Sequence, residues 1–240
     1  MIYKTFAQIR AKVERELDIE VEEFIQPEEF VEYVNDGIAM AEAEIHKLGL
    51  EDEYFLTKAI LALVTGVEDF TLPAPIYMNK IRSIVYSNGS TIYTIDRLRG
   101  PEKFENLARI NQYNTITGYY KYLIRNDSAD AGVTLQLVPS SRETLANAVK
   151  VWFIREAAKW VYTVAGTYDN LKCDLPQIAM QFLYQYVKYR CYEKEGHANT
   201  ADSGVVLKEI QSIMISTMEQ MVADDNNELV RDLSSYQDMS

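Results

Sequence analysis

The residues of this chain that could bind a metal or move a proton are few, and their spacing suits neither task. His46 and His197 are the two histidines, and Cys173 and Cys191 are the two cysteines. Cys191, His197 and Glu195 could come together around the end of one helix. Their spacing fits no common zinc pattern, and a fourth ligand is not evident. We therefore expect neither a metal site nor a cofactor.

Carboxylates and phosphate-binding loops give no stronger indication of catalysis. Glu42, Glu44 and His46 alternate within a helical pattern, so we expect them to spread over its surface without converging. The glycines in the middle of the chain are isolated, and no Lys-Ser or Lys-Thr pair follows them as a phosphate-binding loop requires. The sequence therefore favours a protein that is not an enzyme.

Four basic residues are the remaining candidates for a ligand site. They lie in the middle of the chain and are Lys80, Arg82, Arg97 and Arg99. Three interpretations stay open: a solvated sheet edge, the wall of a channel, or a substrate pocket of a ligand-binding module or enzyme. A pocket would be concave and would hold titrating groups with shifted pKa values.

Composition narrows the class of protein. With 240 residues, of which 48% are hydrophobic, the chain can bury a sizeable core. Its net charge of −12 argues against a duplex-DNA binder, which would need clustered Lys and Arg to neutralise phosphates. The acidity is uneven: residues 1–53 carry 15 acidic and 5 basic groups, whereas residues 54–175 carry 11 and 14.

The setting of the protein follows from its cysteine usage and hydropathy. Two cysteines are too few for a disulfide framework, so we expect free thiols in a reducing cytosol. No segment approaches the roughly 20 apolar residues of a membrane span, and the N-terminus does not have the pattern of a signal peptide. We expect a soluble protein without membrane contact.

Helical patterns occupy the first 53 residues. Thr5 and Gln8 are spaced as a capping box, ahead of apolar residues that recur every three or four positions. A second helix is predicted from Pro27, which suits a first helical position, to Gly49, which suits a stop.

The period then changes to that of strands, over 54–64, 70–72, 80–86, 91–95, 119–125 and 133–138. Asn88-Gly89 predicts a tight hairpin turn, and a second hairpin is predicted around residues 126–132. A brief helix is predicted over Pro101–Ile110. The segment 149–164 is ambiguous, and we favour a strand at its start.

Helical patterns return near the C-terminus. Asp174-Leu175-Pro176 predicts a helix start, Gly196 its end, and Asp202 or Ser203 the start of a last helix. The short link between them predicts antiparallel neighbours. We therefore predict an α+β fold: N-terminal helices (1–53) and C-terminal helices (173–223) form a bundle, a β-rich insertion spans 54–172, and an extended tail follows over 224–240.

Two groups of residues are candidates for contacts with partners. Four apolar residues of the acidic tail share a helical spacing that suits a partner's groove: Leu229, Val230, Leu233 and Tyr236. Four tyrosines within one predicted helix cannot all lie on a single face: Tyr184, Tyr186, Tyr189 and Tyr192. Tyrosine is enriched at interfaces, so some of them are candidates for subunit contacts. A disordered tail and an ordinary mixture of core and surface tyrosines are the alternatives.

The order of these segments resembles the head-to-tail adaptor proteins of tailed bacteriophages, which sit beneath the portal. The resemblance is carried by Tyr54-Phe55-Leu56-Thr57, Val64-Thr65-Gly66, Leu72-Pro73, Asp174-Leu175-Pro176 and the helix that runs to Tyr192-Glu193-Lys194-Glu195. It covers most of the chain but includes no signature motif of high specificity.

The resemblance implies a structural protein of the virion neck, assembled in the cytoplasm of the bacterial host. It implies a dodecameric ring that docks on the portal protein through its C-terminal segment, extends the channel through which DNA passes, and provides the platform for tail or nozzle proteins. Neighbouring copies of the chain would be its lateral partners. The nearest alternative is another neck component, such as a stopper or tail-completion protein.

Overall fold

The computed structural model describes residues 4–17, 25–72, 76–99, 119–126, 133–161 and 172–237, and only the backbone for 224–237. It confirms the α+β class, with 46% of residues in helices and 30% in strands. The chain divides into two compact units. The helical unit comprises Met1–Tyr54 and Ala157–Ser240, and the strand unit comprises Phe55–Glu156.

Five helices lie in the described part of the helical unit. They are α1 (Phe6–Leu17), α2 (Pro27–Lys47), α3 (Glu51–Tyr54), α4 (Gln177–Glu195) and α5 (Thr200–Gln237). The predicted caps are confirmed at two ends. The Thr5 and Gln8 side chains each accept the other residue's backbone N–H before α1, and Gly196 adopts the left-handed conformation that ends α4.

Helix α4 is the most enclosed helix of this unit. It packs against α1, α2 and α5, and its buried residues therefore lie all around it: Ala179, Met180, Phe182, Leu183, Tyr184, Gln185, Tyr186, Val187, Cys191 and Tyr192. At Gly37 of α2, an added Cβ would lie 2.7 Å from Leu183 Cδ1. The missing side chain allows α2 and α4 to approach closely.

An extended segment after the strand unit is fastened to α2 by polar side chains. Asn35 accepts a hydrogen bond from the Trp160 backbone N–H at 2.8 Å and donates one to the Trp160 carbonyl at 2.8 Å. Glu42 Oε1 accepts the Ala157 N–H at 2.6 Å. The Trp160 ring also packs on Phe6, with centroids 4.8 Å apart. These bonds satisfy backbone groups that have no sheet partner here.

Eight strands are described in the strand unit: β1 (Leu56–Leu63), β2 (Asp69–Thr71), β3 (Ile76–Ser87), β4 (Ile92–Thr94), β5 (Asp96–Arg97), β6 (Lys121–Asn126), β7 (Val133–Val138) and β8 (Leu145–Arg155). They form two four-stranded sheets, ordered β1-β8-β3-β4 and β2-β7-β6-β5. All described pairs are antiparallel except β5 with β6. The second hairpin is thus confirmed as β6 and β7.

Both sheets contribute to one apolar core. Leu135 and Leu137 of β7 and Val151 and Phe153 of β8 are each at most 1% exposed. The Asn88-Gly89 hairpin is confirmed between β3 and β4, where the Asn88 side chain accepts the Ser90 and Thr91 backbone N–H groups. On the other face of the first sheet, Leu56, Ile60 and Trp152 are each more than a third exposed.

The structure differs from the sequence predictions at several element ends. Residues 51–54 form the short helix α3, so the first strand begins at Leu56. The last helix begins at Thr200, before the predicted start at Asp202 or Ser203, and continues to Gln237, so the tail with its helical spacing continues this helix without a break at residue 223. The ambiguous segment 149–164 is a strand up to Arg155. The predicted Pro101–Ile110 helix and most of the second hairpin turn lie outside the described residues.

Candidate assembly surfaces

A cluster of three buried titratable side chains lies at the end of α2. His46 Nε2 is 3.8 Å from Glu42 Oε1, and His46 Nδ1 is 4.0 Å from Glu51 Oε2. The prediction that these helix residues spread apart was wrong for Glu42 and His46, whose spacing of four places them on one face. It was right for Glu44, which accepts a bond from Gln211 of α5 instead. The Glu42 carboxylate also holds the Ala157 backbone, so the cluster joins parts of the helical unit.

The cysteines are buried, and burial raises their thiol pKa values to about 11 for Cys173 and about 12 for Cys191. Both thiols are therefore protonated at neutral pH. Within the described ranges, no group of three or more His, Cys, Asp or Glu side chains is placed to hold a metal ion. His197 stacks on Tyr192, with ring centroids 4.9 Å apart.

A cleft of about 250 Å³ lies in the helical unit, between the N-terminal segment and the start of α4. Its lining residues are Lys4, Lys12, Gln177, Met180, Gln181 and Tyr184. The Lys12 ammonium group lies 3.8 Å from the centre of the Tyr184 ring. This cleft is therefore not the substrate pocket considered for the strand unit, which would be lined by Lys80, Arg82, Arg97 and Arg99.

Those four basic residues are divided between the two sheets of the strand unit. Lys80 and Arg82 lie on β3, ahead of Val85–Ser87, the part of β3 that pairs with β4. Arg97 lies on β5, the edge strand of the other sheet, and Arg99 follows it. Arg82, Arg97 and Arg99 are exposed. Their role in a channel or at a sheet edge stays a prediction.

The four candidate tyrosines of α4 are used mainly within the helical unit. Tyr184, Tyr186 and Tyr192 are each 8% exposed, and Tyr189 is half-buried, with its hydroxyl 3.4 Å from Glu193 Oε1. Burial raises the pKa of Tyr184 and of Tyr186. A role in subunit contacts stays a prediction, and it would involve the exposed parts of these four side chains.

The outward face of the β1-β8-β3-β4 sheet is apolar and basic; we call it the outer sheet face. Leu56, Ile60, Trp152 and Ile92 on it are 39%, 48%, 37% and 70% exposed. Lys58 pairs directly with Trp152 across β1 and β8, and its ammonium group lies 5.4 Å from the Trp152 ring centre. Antiparallel sheets with one solvated face normally place polar residues there, so this composition is unusual.

A row of acidic side chains marks the exposed side of α2; we call it the acidic stripe. Glu28, Glu32 and Asp36 are all exposed and follow one another at intervals of four residues. Within the part of the chain that the structure describes, none of the three forms an ion pair. Neighbouring Glu29, by contrast, pairs with Lys194, which lowers the pKa of the Glu29 carboxyl.

Helix α5 is twice as long as the helix it packs against. With 38 residues it spans about 57 Å, whereas the 19 residues of α4 span about 28 Å. The short link after Gly196 and the bond from Gln185 to Ser203 make the two helices antiparallel neighbours. Met218 is the last buried side chain of the described part of α5, so the end of α5 extends past α4.

The tail residues Leu229, Val230, Leu233 and Tyr236 lie in this last part of α5. The structure describes only the helical backbone of residues 224–237, so these four side chains lie outside the described part of the chain. Sequence reasoning missed the outer sheet face, although the alternation of Leu56, Lys58 and Ile60 was available as a signal.

Comparisons with known proteins give one family. The family model described as SU10 adaptor protein matches residues 4–231. No curated protein matches the chain. Within the described residues, no helix is both long enough and apolar enough to cross a membrane.

Proposed function

The chain belongs to the SU10 adaptor protein family, and from this membership we propose that it is a head-to-tail adaptor in the virion neck of a tailed bacteriophage. The family match by itself indicates a structural adaptor protein of a phage. The proposal adds a dodecameric ring beneath the portal, which extends the DNA channel and carries the tail or nozzle proteins. Assembly would take place in the cytoplasm of the host.

The observation that carries this proposal is the extent of the match. Residues 4–231 include both the helical unit and the strand unit, and they reach into the last part of α5. We also propose that the N- and C-terminal helices form a bundle into which the β-rich segment is inserted. Helix contacts of α4 with α1, α2 and α5 support it.

We assign portal docking to the C-terminal segment, residues 224–240. Its first 14 residues continue α5 as helix. The segment carries five acidic residues and one basic residue, with apolar Leu229, Leu233 and Tyr236 spaced by four and three. A helix that is mostly polar but has one apolar row is suited to a hydrophobic groove on a partner.

In the proposed ring, the strand unit lies near the DNA channel. Its net charge is +3, from 12 basic and 9 acidic residues, and it includes Lys80, Arg82, Arg97 and Arg99. A weakly basic wall would hold DNA without sequence preference, because phosphate contacts carry no direct sequence information.

Electron microscopy of the full chain mixed with the portal protein of the same phage tests this function. A ring stacked on the portal with the portal's symmetry is expected. Association only with a portal that already carries another neck protein would indicate a stopper or tail-completion protein instead. If the chain binds neither the bare portal nor a portal that carries another neck protein, the proposal is overturned.

The role of the C-terminal segment is tested by substitution within it. Leu233→Asp should weaken portal binding at least about tenfold, because it places a charge in an apolar contact. Ser235→Asp adds the same charge two residues away and should bind as the unchanged chain does. Equal binding by both variants in a pull-down would remove the docking role from Leu233.

A further inference from the structure

We propose that the outer sheet face of one copy docks on the acidic stripe of α2 in a second copy. This inference deepens the proposed function and rests on it for the ring, because a contact between two different surfaces of the same chain can close a ring. Each copy would use its outer sheet face toward one neighbour and its acidic stripe toward the other.

The first argument is the composition of the outer sheet face. Leu56 and Ile60 on edge strand β1, Trp152 on β8 and Ile92 on edge strand β4 are all more than a third exposed. The register places Trp152 opposite Lys58, and therefore diagonal to Leu56 and Ile60, whereas Ile92 lies opposite Ser87 at the other edge of the sheet. Contiguous exposed apolar surface of this kind commonly marks an interaction site.

The second argument is the charge on that face. Lys58 and Lys150 lie diagonally across the β1–β8 pair, which places these two residues roughly 7–8 Å apart. Neither lysine forms an ion pair within the described residues. Two like charges so close together favour a partner that is negatively charged.

The third argument is that the same chain carries a matching surface. Glu28, Glu32 and Asp36 place three carboxylates along about 12 Å of α2. Like charges four residues apart weaken an isolated helix. Met40, which is 41% exposed, continues on the exposed side of α2 and provides an apolar neighbour for the carboxylates.

Net charge supports a copy of this chain as the occupant. The helical unit carries 27 acidic and 12 basic residues, a net charge of −15, whereas the strand unit carries +3. Opposite potentials steer two such surfaces together and fix their register. Two helical units, or two strand units, would repel each other.

A mixing experiment with two charge-reversed variants tests the contact. The first variant, Lys58→Glu with Lys150→Glu, has two acidic surfaces, and the second, Glu32→Lys with Asp36→Lys, has two basic ones. Each purified full-length variant should self-associate at least about tenfold more weakly than the unchanged chain in sedimentation velocity over a dilution series. An equimolar mixture should regain association, since every contact between the two different variants joins opposite charges.

The control makes the same change in net charge as the first variant, but at exposed lysines outside both surfaces, Lys172→Glu with Lys208→Glu. It should associate as the unchanged chain does. Restored association in the mixture also shows that both variants are folded. Three results would overturn the contact: an unchanged chain that is monomeric at every concentration, single variants that associate normally, or a mixture that gains nothing.

Portal binding gives a separate readout, which keeps this inference distinguishable from the proposed function. Complementation in the mixture without any binding to the portal would support the lateral contact and contradict the adaptor function. Portal binding that depends on Leu233 but is indifferent to both charge reversals would support the function and contradict the lateral contact.

Discussion

The helical unit and the strand unit reach a closed core by different routes. In the helical unit, residues far apart in the chain meet: Asn35 bonds to Trp160, and Phe6 packs on the same ring. In the strand unit, one continuous segment folds into two sheets around a shared core. The helical unit therefore joins segments that are distant in the chain, partly through polar side chains, whereas the strand unit closes its core within one segment.

The largest expected effects come from removing one large apolar side chain from the core of each unit. Phe153→Ala in the strand unit and Phe182→Ala in the helical unit each remove a ring that is 1% exposed. Each should lower the free energy of unfolding by about 3–5 kcal/mol. Hydrogen exchange should show the lost protection concentrated in the unit that carries the substitution. Equal loss in both units would contradict their description as separate compact bodies.

The next largest effect is expected from removing a buried carboxylate of the helical unit. Glu42→Ala leaves the Ala157 N–H without the acceptor that it has at 2.6 Å, and should cost about 1–3 kcal/mol of stability. Glu44→Ala, two residues further on and half-buried, is the matched control and should cost less than about 1 kcal/mol. Chemical denaturation measures both. Equal costs would show that the bond from Glu42 to Ala157 contributes little.

The smallest effect concerns alkaline pH and the strand unit. Burial raises the pKa of Tyr93 to about 12, from an ordinary value of 10.0. Because the folded state holds this proton more tightly, its contribution to stability is complete below pH 10 and is lost as pH rises toward 12. Tyr93→Phe should therefore flatten the fall in thermal stability over this window. An unchanged pH profile would assign the fall to other groups.

Local sequence signals predicted the parts of the fold that short-range physics governs. The capping box at Thr5, the Asn88-Gly89 turn and the stop at Gly196 each depend on residues within a few positions of one another. A cap, a turn and a left-handed residue are decided by local hydrogen bonds and backbone sterics. The same signals misplaced the start of β1 and the end of α5, where local preferences are weak.

The candidate surfaces were only partly accessible to the same reasoning. The apolar spacing of Leu229, Leu233 and Tyr236 was readable in the sequence, and so was the acidity of the N-terminal helices. The pairing of Lys58 with Trp152 was not, because it joins residues 94 positions apart through the register of β1 and β8. Nor did the tyrosine pattern of α4 show that three of the four rings would be buried within their own unit.

Helix and strand periods, the two hairpins and the contrast between acidic ends and a weakly basic middle follow from the order of residues alone, since they depend on neighbours in the chain and on composition. Which face of each element is covered depends on partners that are distant in sequence. Tertiary structure alone enclosed α4 among three helices, left the outer sheet face and the acidic stripe open, and placed Glu42 beside His46 and Ala157. Burial depends on contacts between residues that are distant in the chain, so a short segment of sequence cannot determine it.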